Sequence, residues 1–189
     1  MRNNSRIILF TIFLVALTTY CKYYFGPNYA LSGLSPMFAI ALFSGYIAKK
    51  KEWLFLFPLL SLFISDAIIE LLFSQGLFQY AGFYAGQWKN YAILLGSTFI
   101  GWALKGKSYT SLVAGAIASP TLFFIVSNFM VWAAATEEFY SKSMVGLEAC
   151  YTAGLPFYRN SLVGTLVFLP IVLLSFNWIN NKKAALKLA

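Results

Sequence analysis

The stretch WLFLFPLLSLFISDAIIELLF, residues 53–73, decides the fold. One helical crossing of a roughly 30 Å hydrocarbon core needs about 20 mainly apolar residues, and this run supplies them. It also carries two carboxylates, Asp66 and Glu70, four positions apart and therefore on one helix face. A carboxylate at such depth costs about 2.5–3.5 kcal/mol even on lenient insertion scales, so Asp66 needs a partner, a proton or a purpose.

The rest of the chain fits that setting. Its 189 residues are 60% hydrophobic, 19% aromatic and 11% charged, with a mean hydropathy of +0.70. That is more apolar surface than one soluble core of this size can hide. The sequence therefore reads as a single-domain, all-α integral membrane protein over residues 1–189. Six transmembrane helices are expected, at 7–25, 34–48, 53–73, 91–104, 109–135 and 161–179. The second and fourth are short, and flanks 28–33 and 88–90 are expected to extend them. Pro120 gives the long fifth helix a place to kink.

Charge sets the orientation. With a cytoplasmic N-terminus, Arg2, Arg6, Lys49, Lys50, Lys51, Lys105, Lys107, Lys182, Lys183 and Lys187 fall inside, against Lys22, Lys89, Lys142 and Arg159 outside. Ten against four places both termini inside. The net charge of +8 then belongs to this topology signal and to contact with the lipid bilayer, and no nucleic acid partner is expected. Arg2 and Arg6 ahead of an apolar run resemble a secretory signal. However, Tyr20 before Cys21 is too bulky for either a signal or a lipoprotein cleavage site, so the first helix is expected to be retained.

This topology gives the polar residues a depth. Asp66 and Glu70 fall in the outer half of the third helix; Ser127, Asn128 and Trp132 in that of the fifth; and Arg159 and Asn160 at the outer end of the sixth. Three readings are open. Asp66 and Arg159 form a structural ion pair, with Asn128 as an interhelical hydrogen bond. Alternatively, Asp66, Glu70, Asn128, Arg159 and Asn160 hold the polar end of a small molecule while Trp132 covers its apolar body. Or Asp66 and Glu70 carry protons, although a chain without His is short of relay stations. The aromatic and glycine-rich outer segment 74–90, with Tyr84 and Trp88, is either an interfacial belt or a lid over the pocket. A second outer connection, 136–160, is also expected to be long.

In the second helix, Ala41 and Gly45 have the small-xxx-small spacing that lets helix backbones approach closely, either within this chain or against a docking partner. Cys21 and Cys150 both fall on the outer side, where a disulfide or two unpaired thiols are possible. Gly101 to Ser108 matches the spacing of a phosphate loop, but an apolar membrane helix stands where that motif needs a strand. With no His for a triad or a zinc motif, no enzyme, cofactor or metal is expected.

Ser35-Pro36, Ala39, Ala41-Leu42-Phe43 and Gly45, then Pro58-Leu59, Ser65-Asp66, residues 128–132, Tyr151, residues 154–162 and Gly164 together resemble an uncharacterised, domain-of-unknown-function family of bacterial six-helix membrane proteins. That family is similar in size and layout to the S components of energy-coupling factor transporters. The resemblance implies an S-component-like bundle in the bacterial cytoplasmic (inner) membrane. It implies a pocket near the outer surface for a vitamin or related cofactor precursor. It also implies a small-residue face that docks an energy-coupling transmembrane subunit with its ATPases. No motif of a known vitamin specificity is present, and in typical S components the docking face lies on the first helix, whereas here it is best developed on the second. The alternative is a structural or assembly protein whose polar cluster only holds its helices together.

Overall fold

Apolar runs closed by short turns give six helices and, among the described residues, no strand. The computed structural model describes residues 2–47, 54–105 and 108–180. In chain order the helices are α1 (Arg2–Phe25), α2 (Met37–Ile47), α3 (Leu56–Ser74), α4 (Gln87–Ala103), α5 (Tyr109–Ala134) and α6 (Met144–Ile179). Ala48, Trp53 and the basic residues expected at 49–51, 107, 182, 183 and 187 lie outside the described residues.

Four helices are long and apolar enough to cross a membrane: Ser5–Phe25, Leu56–Ser74, Thr110–Ala134 and Met144–Ile179. The other two are shorter, and only α4 is extended by its flank as expected. With 11 residues, α2 spans only about 17 Å. Its flank 28–33 adds no helix, because Pro36 and Gly33, at φ +91°, turn the chain there. Helix α4 has 17 residues and gains its extra turn at Gln87, behind a left-handed Gly86 at φ 80°.

The largest correction concerns the connection expected at 136–160. Only its first part is a loop. Ser143 caps the next helix by accepting a hydrogen bond from the Gly146 amide, and α6 then runs for 36 residues through Pro156 and Pro170. At about 54 Å it outreaches the hydrocarbon core and forms a long antiparallel hairpin with α5. Trp132 Nε1 donates to Ser141 O at 2.9 Å, and Tyr151 Oη donates to Ile125 O at 2.7 Å. Lys142 donates to the α5 carbonyls of Trp132 and Ala135 at 2.5 and 2.6 Å, placing a cation at the negative end of that helix.

The arrangement is a ring of α1, α3, α4, α5 and α6 around α2, which packs against α3, α4, α5 and α6 and meets α1 through Phe10 and Phe43. Every residue from Met37 to Gly45 is buried, as expected of a helix that is apolar on all sides. Ala41 and Gly45 therefore face the interior of this chain and are closed to a docking partner. A Cβ on Gly45 would lie 1.9 Å from Thr98 O, and one on Gly101 would lie 2.0 Å from Leu42 O. Backbone contact with α4 thus uses the small-residue spacing, and it gives Gly101 a packing role in place of a phosphate-binding one. Away from Asp66, the rings of Phe10, Phe43, Phe57 and Phe176 close the core, with Phe10 centroids 5.5, 5.3 and 5.1 Å from the other three.

Candidate functional site

The site lies at the end of the bundle where α1, α3 and α5 finish and α2, α4 and α6 begin. Asp66 is 5% exposed, and its partner is Lys22 in the last turn of α1. Arg159 is exposed on α6, so the expected Asp66–Arg159 pair is not formed. The Lys22 ammonium donates to Asp66 Oδ1 and, at 2.7 Å, to Ser65 Oγ. The other carboxylate oxygen accepts from Gln87 Nε2 at 2.9 Å and from the Tyr91 hydroxyl. Gln87 and Tyr91, four apart, share one face of α4. The ion pair is hydrogen-bonded on both oxygens, as a buried charge pair requires.

Glu70 has a different task. Its carboxylate accepts from the amides of Gly82 and Phe83 at 2.8 and 3.1 Å. Gly82 fits so closely that a Cβ there would lie 2.0 Å from Asp66 O. The connection 75–86 therefore folds back along α3 by two turns, about 12 Å, before α4 starts beside Asp66. Backbone at such depth must find its hydrogen bonds within the protein, and Glu70 supplies two of them. Gln87 adds a third by donating to Gly82 O at 3.1 Å.

The connection 26–36 also dips inward. Asn160 holds it by donating to Ala30 O and Ser32 O at 2.9 and 2.8 Å, and Gly33 would put a Cβ 2.8 Å from Phe157 O. Because α2 is short and both connections turn in, a cavity of about 290 Å³ remains above the amino end of α2. All six helices line it: Lys22 from α1, Met37 and Phe38 from α2, Leu62 and Asp66 from α3, Gln87, Asn90, Tyr91 and Leu94 from α4, Phe123 from α5 and Ser161 from α6. Gly33, Ser35 and Tyr84 complete the wall, and Tyr84 accepts from Asn90 Nδ2 at 2.8 Å through its hydroxyl.

A second cavity, of about 250 Å³, lies beside it between α5 and α6 and shares Asn90, Phe123 and Ser161. Asn128 lines this second space and donates to Phe124 O at 2.8 Å. Asp66, Tyr84 and Asn128 thus line adjoining cavities, whereas Glu70 and Asn160 hold connections in place. Trp132 binds the hairpin, and Trp88, 69% exposed, stands outside beside Lys89, whose ammonium is 6.0 Å from its ring. Cys21 and Cys150 are both free and buried. Instead of a disulfide, Cys21 joins the apolar core and the Cys150 thiol donates to Asn128 O at 3.4 Å.

Lys22, Gln87 and Tyr91 were not expected from sequence. Lys22 looked like one more topology charge, yet its place in the last turn of an apolar helix posed the same desolvation problem as Asp66.

These features define an all-helical, multi-pass membrane protein with a buried ion pair at one end of its bundle. The chain belongs to DUF6580, a family of unknown function whose model matches residues 1–186. Comparison with curated proteins and with solved structures gave no match.

Proposed function

We propose that the protein is a substrate-binding membrane subunit that captures a small nutrient, such as a vitamin or related cofactor precursor, on the extracytoplasmic side of a bacterial cytoplasmic membrane. The observation that carries this reading is the cavity to which all six helices contribute. Together with its neighbour across Phe123, it offers about 290 and 250 Å³, the scale of a small-molecule site with an apolar lining and a few polar groups. The charge bias of the sequence turns this end outward. An energy-coupling transmembrane subunit with ATPases would complete uptake, and no catalytic step is assigned to this chain.

Native mass spectrometry after gentle extraction tests the reading. A bound small molecule is expected on the wild type and is expected to be lost from Leu94→Trp, which fills the cavity. A ligand-free wild type, or the same adduct on L94W, overturns it.

The full satisfaction of Asp66 by Lys22, Gln87 and Tyr91 favours a second reading, in which the cluster only holds helices together. The swap Lys22→Asp with Asp66→Lys separates the two. A purely structural pair regains thermal stability in the swap and nothing else changes, whereas a binding pair regains stability and still loses its ligand.

A further inference from the structure

Within the cavity, the more exposed charged group with hydrogen-bonding capacity to spare is a donor. Both Asp66 oxygens are engaged, by Lys22, Gln87 and Tyr91. An ammonium has three donors, and Lys22 uses two, on Ser65 and Asp66. Both members of the pair line the cavity, and the Lys22 side chain, 23% exposed against 7% for that of Asp66, is the more open of the two. Other wall groups have the same bias. Tyr84 accepts through its hydroxyl from Asn90, and Ser35 accepts from the Met37 amide at 3.3 Å, which leaves each hydroxyl proton free to donate. The floor is the amino end of α2, the positive end of its dipole. These donors are accessible from the cavity, and a ligand that brings oxygen acceptors pairs with them.

We propose, building on the binding function above, that the site takes a molecule with an oxygen-acceptor head, a carboxylate or an amide carbonyl, on an apolar body. Lys22 grips the head, and Asp66 serves as the internal counter-ion without touching the ligand. Phe38, Phe123 and Leu94 provide the apolar wall for the body, with the Phe38 and Phe123 rings packed edge-to-face on each other at 5.2 Å. Cationic ligands are disfavoured, because Lys22 already neutralises Asp66 and its ammonium repels them.

Three probes that share a ring and differ only in the head test this: benzoate, benzamide and benzylamine, titrated calorimetrically against the full chain in nanodiscs. Benzoate and benzamide are expected to bind at least tenfold more tightly than benzylamine. Asp66→Asn removes the charge competing for Lys22 and is expected to tighten benzoate several-fold while leaving benzamide within twofold. Lys22→Met is expected to abolish both. Because each single variant strands a buried charge, the neutral pair Lys22→Met with Asp66→Asn serves as the folded reference and is expected to lose the acceptor preference. Benzylamine binding as tightly as benzoate, or an acceptor preference that persists in the neutral pair, overturns the assignment of Lys22. Wild-type protein silent toward all three probes overturns the cavity as a binding site.

Discussion

At the scale of single residues, the same chemical type serves two ends. Asp66 and Glu70 are one turn apart on α3. The first neutralises a cation across the bundle, whereas the second accepts two amides of the returning connection. Removing either leaves different groups unpaired, so the consequences separate. Glu70→Ala strands the Gly82 amide, at about 1–3 kcal/mol for a buried donor, and releases the more exposed Phe83 amide to solvent. Hydrogen exchange at those two amides is expected to accelerate while the core of α2 stays protected. Unchanged exchange at Gly82 would mean that Glu70 does not hold the connection. Sequence exposed Asp66 because a lone carboxylate in an apolar run is expensive. It hid Lys22, because a cation near a helix end is also what a topology signal looks like.

At the scale of elements, the glycines decide how close the helices lie. Gly45 and Gly101 let α2 and α4 touch through backbone atoms, with virtual Cβ positions 1.9 and 2.0 Å from carbonyl oxygens of the other helix. Gly45→Val forces that pair apart. It is expected to destabilise the bundle by more than the 1–3 kcal/mol or so typical of overpacking, read as a fall in the thermal midpoint in detergent. A change within experimental error would show that the helices are free to part.

The small-residue spacing of α2 was legible in sequence, but its target was not. Periodicity reports that a face is small without saying what meets it. The first part of α6, residues 144–160, failed to show for a related reason. Gly146, Gly154 and Pro156 read locally as loop residues, yet Gly154 sits where its Cβ would be 2.4 Å from Asn128 Oδ1, and packing against α5 keeps that segment helical. The long apolar helices α1, α3 and α5 needed no such context, because length and hydropathy alone identify a spanning segment.

At the scale of the whole molecule, a ring of five helices encloses a sixth that does not reach across. The two inward-turning connections lie at one end, together with the ion pair and both cavities, while the aromatic cluster of Phe10 seals the interior toward the other. The orientation proposed from charge bias turns the cavity end outside. A membrane-impermeant maleimide applied to intact cells is therefore expected to label Trp88→Cys and spare Asn180→Cys, with the two buried native thiols as silent background. The reverse pattern would turn the cavity toward the cytoplasm and remove nutrient capture from consideration.

The shortness of α2 has a consequence for biogenesis. At 11 residues it offers an insertion machinery no complete span to release into lipid, so the chain between α1 and α3 has no stable transmembrane arrangement until α3 has been made. Lys22 emerges 44 positions ahead of Asp66, and for that interval it is a cation near lipid without its carboxylate. The first three helices are therefore expected to settle in the bilayer as a group, with the salt bridge forming once α3 is in place. A mutation at either charge is then expected to lower the yield of inserted protein, apart from whatever it does to binding in the molecules that do insert.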